Sequence, residues 1–235
     1  SGDVAYDSTR IHVDLTPPVI HVSSPENNSV IGHLVVIKLN ATDEFLKEVI
    51  LSVNGTKAVV LLVDVNMTAG TVANFTWNTT QLTDGHYNLL FTAIDRAGNV
   101  QTVSIFVIID NTPPELIYIA VPERAYEYIP ATVRVNITDV ASGIKNVTLW
   151  YKVENGEWKS VKMVLENGLW IGQIPSQRAG VTIQFYIEAY DFAGNNVKSK
   201  MYSYTVAPFY MIFTEPPVAI SLCVITIAII MIIIR

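Results

Sequence analysis

This sequence has almost no cysteine: Cys223 is its single one. No disulfide can staple the chain, so its domains must hold together by buried apolar area, which units of about 100 residues manage without cross-links. Cys223 lies inside an uncharged apolar run, the wrong setting for a reactive thiolate, which needs water and positive charge nearby. Charge is scarce too, at 15% of residues with a net −6. Nucleic-acid binding asks for clustered Lys and Arg and is not expected. The four histidines, His12, His21, His33 and His86, sit in no His-x-x-Glu-His or other metal-spaced pattern. A Gly-x-Ser-x-Gly elbow and a phosphate-cradling glycine loop are also missing, so neither an enzyme nor a cofactor is expected.

What the chain does have is an internal repeat. Asp14-Leu15-Thr16-Pro17-Pro18 returns as Asp110-Asn111-Thr112-Pro113-Pro114, an offset of 96 residues. Asn40-Ala41-Thr42-Asp43 returns as Asn136-Ile137-Thr138-Asp139 at the same offset, and Ala93-Ile94-Asp95-Arg96-Ala97-Gly98-Asn99 as Ala189-Tyr190-Asp191-Phe192-Ala193-Gly194-Asn195. A fixed period of this length marks tandem domains. Thr-Pro-Pro is a short extended joint, because proline fixes φ and drives the preceding residue into extended space, and such joints favour a stiff rod over a floppy tether.

The register carries back to Ser1-Gly2-Asp3, so residues 1–15 read as the last strand of a preceding repeat. Residues 16–110 and 111–207 form two complete repeats, 208–217 a juxtamembrane linker, and 218–235 a transmembrane anchor. From Val218 to Ile234 there is no charge, and Arg235 closes the run. That length is at the short end of the bilayer-spanning range, and Phe209, Tyr210 and Phe213 suit an interfacial belt. No signal peptide opens the sequence, so an exported protein of this kind is expected to be a processed product or a segment of something longer.

Within the repeats the pattern is strand after strand. Residues 19–22, 34–39, 48–53, 57–64, 72–77, 86–95 and 100–109 form the first set, and 115–121, 131–138, 147–153, 158–163, 169–174, 182–191 and 197–206 the second. Asn54-Gly55, Glu154-Asn155-Gly156 and Asn167-Gly168 mark hairpins. In Gln184 to Tyr190, Phe185, Ile187 and Ala189 share one face, which predicts one buried and one wet side. No amphipathic helix of ten residues is expected outside the apolar tail. The fold class is all-β: two tandem immunoglobulin-like antiparallel sandwiches plus one C-terminal transmembrane helix.

These words resemble a known family. Asp-x-Thr-Pro-Pro, Trp77 followed by Leu82-Thr83-Asp84-Gly85-His86-Tyr87, and Ala-x-Asp-x-Ala-Gly-Asn before the last strand are similar to the tandem immunoglobulin-like repeats of bacterial and archaeal cell-surface proteins. Ser142 to Val147 and Phe185 to Asp191 look most like beads of surface-anchored proteins and secreted subtilisin-like proteases of hyperthermophilic archaea. The resemblance implies an exterior location and a surface-layer-associated setting, and it leaves function open, because such beads serve as spacers, stalks, adhesins and accessory domains.

Asn-x-Ser/Thr occurs at Asn27, Asn40, Asn54, Asn66, Asn74, Asn78, Asn136 and Asn146. Eight acceptors predict an N-glycosylated surface. Asp95 and Asp191 with Asn99 and Asn195, and Asp43-Glu44 and Asp139, are oxygen ligands in type. They come in ones and twos along the sequence, so turn capping is expected of them rather than calcium, and no metal site is expected. Trp150, Trp158 and Trp170 are expected to pack across a sheet edge or bury in the core rather than to stack on a sugar or dock a partner protein. Ser1 is a candidate cleavage-derived N-terminus.

The expected role is a non-catalytic, membrane-anchored surface stalk that holds a partner or an upstream domain outside the membrane, as the C-terminal half of a processed precursor. Its expected partners are the protein chain that completes the preceding repeat, from the same precursor or as a separate subunit, and the membrane through residues 218–235. Two alternatives stand beside it: the accessory region of a secreted subtilisin-like protease or other hydrolase, and a surface-layer or filament subunit assembled by strand exchange.

Overall fold

The computed structural model describes residues 13–63, 71–122 and 124–213. Ser1, the sequon at Asn66 and the 218–235 segment lie outside the described residues. Among the described residues no helix is long and apolar enough to cross a membrane.

The first repeat contributes β1 (Val19–Ser24), β2 (Ser29–Ile31), β3 (Leu34–Thr42), β4 (Leu46–Val53), β5 (Thr56–Val63), β6 (Thr71–Asn78), β7 (Gly85–Asp95) and β8 (Val100–Ile109). They form two sheets, β1-β3-β6 and β2-β8-β7-β4-β5. The second contributes β9 (Glu115–Ala120), β10 (Ala125–Tyr126), β11 (Ala131–Thr138), β12 (Ile144–Val153), β13 (Lys159–Lys162), β14 (Val164–Glu166), β15 (Leu169–Ile174), β16 (Thr182–Asp191), β17 (Asn196–Lys198) and β18 (Tyr202–Ala207). Its sheets are β14-β15-β11-β9 and β10-β18-β16-β12-β13, with β17 on β16. The two repeats thus share one strand order, and β1 and β9 are 96 residues apart at both ends.

Alternation explains the layers. β3 reads exposed, buried, exposed, buried along its length, and Ile37, Leu39 and Ala41 turn inward. Val49 and Leu51 of β4 and Leu89 and Phe91 of β7 meet them from the second sheet, all fully buried. In the second repeat Val133 and Val135 of one sheet and Val147, Leu149, Ile183, Phe185 and Ile187 of the other are again fully buried. Each such side chain contributes about 1.5–3 kcal/mol by leaving water. Asn54-Gly55 and Asn167-Gly168 make equivalent tight turns, with φ of 49° and 80° in both, the left-handed pair that Asn-Gly accepts.

The strand pattern departs from expectation in five places. β2 and β10 are too short to show a period, and they exist because each pairs in parallel with the last long strand of its repeat. The strand expected over 197–206 is broken, because the Ser199 hydroxyl accepts the Ile187 amide at 2.9 Å and so takes a ladder position with its side chain. After Lys162 the chain changes sheets: Thr148 to Tyr151 pair with β13, but Val164 to Glu166 pair with β15, with buried Met163 as the pivot. At Glu154-Asn155-Gly156 the left-handed residue is Glu154, φ 50°, rather than Asn155. A single turn of 3-10 helix, Phe209–Phe213, lies in the stretch read as a linker.

By packing, the chain divides into two compact units. One holds the described residues up to 114 with the loops 139–145 and 190–196; the other holds the described residues of 115–138 and 146–189 and those from 197 to 213. In the first unit Gly32 lies against the Asp110 carbonyl, and the Asp110 amide donates to Ile31 O at 2.9 Å. A Cβ at position 32 would collide with that carbonyl oxygen, which is backbone and cannot rotate away. Gly32→Ala is therefore expected to cost about 1–3 kcal/mol by overpacking, read as a lower urea midpoint with unchanged m-value.

Candidate functional site

The site is built from the Ala-x-Asp-x-Ala-Gly-Asn turn, which follows β7 in one repeat and β16 in the other. The buried Asp95 carboxylate accepts the Asn99 amide on Oδ1 and Asn99 Nδ2 on Oδ2, both at 2.8 Å. Asp191 Oδ1 accepts the Gly194 amide at 2.7 Å and the Asn195 amide at 2.8 Å. Gly98 and Gly194 carry φ of 92° and 93°, a region closed to most side chains, so the glycine of the motif is a backbone requirement.

The asparagine of each turn then reaches the Asp-x-Thr-Pro-Pro segment. Asn99 Nδ2 donates to the carbonyls of Asp14 at 3.1 Å and Thr16 at 3.4 Å. Asn195 Nδ2 donates to the carbonyls of Asp110 at 3.2 Å and Thr112 at 3.3 Å. The leading aspartates close the same small turn, accepting the amides of Thr16 and Thr112 at 3.0 and 3.1 Å. A third aspartate comes from the turn after β3 or β11. Asp43 accepts the Phe45 amide at 2.7 Å, and Asp139 accepts the Ser142 and Gly143 amides at 2.8 and 2.6 Å.

Turn capping is thus what these carboxylates do, but they do not remain in ones and twos. Asp14, Asp43 and Asp95 bring carboxylate oxygens within 4.8 Å of one another, and so do Asp110, Asp139 and Asp191. All three positions differ by 96 between the sets. Sequence reasoning missed the convergence because Asp14 and Asp110 were read as part of a joint. The signal available was that all three acids recur at one offset.

The two triads differ electrostatically. Burial works against charge on Asp95, but the Asn99 side chain and the Asn99, Gly98 and Ala97 amides outweigh it and leave its pKa below the ordinary 3.8. Burial raises Asp110 above 3.8, and the carboxylates of Asp139 and Asp191 add to the rise. The Ser142 hydroxyl beside it and the Thr112 amide pull the other way without reversing the result.

The remaining candidates are dispersed. Asn27, Asn40, Asn54, Asn74 and Asn78 are exposed, and Asn136 and Asn146 half-buried. Asn40 lies on β3, and Asn74 and Asn78 lie on β6, an edge strand of the same sheet. Trp150 is half-buried, donates from Nε1 to Glu188 Oε2 at 3.1 Å and stacks on Tyr186 at 6.2 Å between centroids. Trp158 meets the same ring edge-on at 5.0 Å, and Lys198 covers it at 3.8 Å. The cluster satisfies itself across the sheet. Trp170 is half-buried on β15. An open groove of about 300 Å³ is lined by Tyr128, Val153, Ser176, Gln177, Arg178 and Val181, which offer no acid-base pair.

Comparison with known proteins bears on the fold. Residues 18–90 match a family described as bacterial Ig domain. No curated protein matches the chain. Domains A168–A170 of titin superpose with a TM-score of 0.51 at 13% identity, over 82% of this chain and 67% of that one. The chicken CNTN1 FN1–FN3 domains give 0.47 at 12%, over 85% and 69%. A tetra-tandem repeat from the extending region of a large adhesion protein gives 0.38 at 18%, over 81% of this chain and 49% of that one. The chain is an array of immunoglobulin-like β-sandwiches in tandem.

The opposite pKa directions predict opposite pH dependences. Asp110, raised on folding, contributes stability that is complete below pH 3.8 and is lost as pH rises through its folded value. Asp95, lowered, contributes stability that is present above pH 3.8 and is lost as pH falls through its folded value. In chelator, Asp110→Asn should therefore gain stability relative to wild type between about pH 3 and about pH 7, while Asp95→Asn should lose it. Urea titrations at the two pH values give both slopes.

Proposed function

We propose that this protein is a non-catalytic surface stalk, N-glycosylated along its sheets and anchored in a membrane through residues 218–235, that holds a partner or an upstream domain outside the membrane. The observation that carries the reading is the placement of the sequons: of the seven within described residues none is buried, and Asn40, Asn74 and Asn78 project from the outer face of one sheet. An acceptor asparagine must stand clear of the surface to be modified. The β6 edge carries two of them, where a bulky glycan would also block edge-to-edge pairing. Repetition of one sandwich supports a spacing role. The uncharged run from Val218 to Ile234, ended by Arg235, supports the anchor.

The archaeal affinity and the processed N-terminus at Ser1 belong to the same proposal. So does a separate chain completing the repeat of which residues 1–15 would be the last strand. Glycopeptide mapping of the native chain, combined with carbonate extraction of membranes, tests the core of it. Glycan is expected at Asn40, Asn74 and Asn78 on a chain that stays in the carbonate-resistant pellet. Unmodified sequons on a chain released by carbonate would sink the reading.

A further inference from the structure

We propose that Asp110, Asp139 and Asp191 bind a calcium ion, a site independent of the stalk reading. Each residue offers a carboxylate oxygen within 4.8 Å of the others. In each, Oδ1 is already fixed by backbone amides: Thr112 for Asp110, Ser142 and Gly143 for Asp139, Gly194 and Asn195 for Asp191. These bonds orient the carboxylates as supporting groups orient metal ligands. Asp110 and Asp191 are fully buried, and Oδ2 of each has no hydrogen-bond partner. A buried anionic oxygen without a donor is costly, and two of them in a cluster of three carboxylates ask for a positive charge. Ser142 Oγ, whose hydroxyl leans on the Asp110 carboxylate, is also buried and supplies a further oxygen.

The donor set selects the ion. It is all oxygen, with no imidazole or thiolate, which suits a hard cation rather than zinc or copper. Magnesium dehydrates reluctantly and keeps several waters, whereas calcium accepts carboxylate and neutral oxygens in irregular numbers, as a buried cluster of this kind provides. The equivalent triad is an internal comparison. Both oxygens of Asp95 accept from Asn99, so neither oxygen of that carboxylate is without a donor.

Calorimetric titration of the full chain in detergent, stripped with chelator, tests the site with calcium chloride as the probe. Wild type and Asp43→Asn should bind calcium and melt at higher temperature in its presence. Asp139→Asn and Asp191→Asn should bind about tenfold more weakly or not at all, and magnesium should bind wild type about tenfold more weakly than calcium. Far-UV circular dichroism in chelator checks that each variant is folded, and the calcium-dependent melting shift of wild type stands whether or not a variant folds. Absence of both heat and melting shift in wild type at millimolar calcium overturns the proposal. So does binding that survives in both Asp139→Asn and Asp191→Asn, or magnesium binding as tight as calcium.

Discussion

Two asparagine side chains tie this structure together. Asn99 and Asn195 each stand at the end of a tight turn held by a buried aspartate, and the Nδ2 of each reaches two backbone carbonyls more than eighty residues earlier. Those carbonyls belong to the aspartate and threonine of Asp-x-Thr-Pro-Pro. Proline cannot donate, so the two prolines that follow offer no amide for local pairing, and the carbonyls before them find their donor in the asparagine. The two sequence motifs that define the repeat are therefore one object in space, and the third aspartate, from the turn after β3 or β11, completes it.

Much of this was legible in the sequence. The 96-residue offset, the alternation in β3, β11 and β16 and the Asn-Gly turns lead to tandem sandwiches, because each is a local pattern with a fixed physical meaning. Tyr87, quoted as part of a family motif, donates from its hydroxyl to the Thr83 carbonyl at 2.8 Å, pinning the corner before β7. What escaped was non-local. The pairing of β2 with β8 involves three residues on one side and is set by where β8 ends, and the sheet change at Met163 depends on which strand is vacant next to β15. The carboxylate triads escaped for the same reason, since no window of sequence contains all three members.

The repeats are alike in backbone and unlike in charge. Position 15 is Leu and its equivalent, 111, is Asn. Asn111 is saturated: its amide donates to Asp84 at 2.7 Å, its Oδ1 accepts the His33 amide at 2.7 Å and the Thr79 hydroxyl at 3.0 Å, and its Nδ2 reaches the carbonyls of Thr79 and Leu82. Thr112 also donates to Asp84, and the His33 ring meets Asn195 Oδ1. Polar groups close around the second segment and bury Asp110. Burial of the leading aspartate, a consequence of what surrounds it, separates a triad of satisfied caps from one with oxygens to spare.

The two asparagine clamps also bracket β8. Asn99 holds Asp14 where the first repeat begins, and beyond the ten residues of β8 Asp110 is held where it ends, a strand length of about 33 Å. Within this unit, tension applied between residues 14 and 110 runs along β8, which is laddered to β7 over its whole length and to β2 at its far end. Hydrogen bonds perpendicular to the load are sheared together; they cannot be unzipped one at a time. A chain drawn taut would meet its resistance in that single strand.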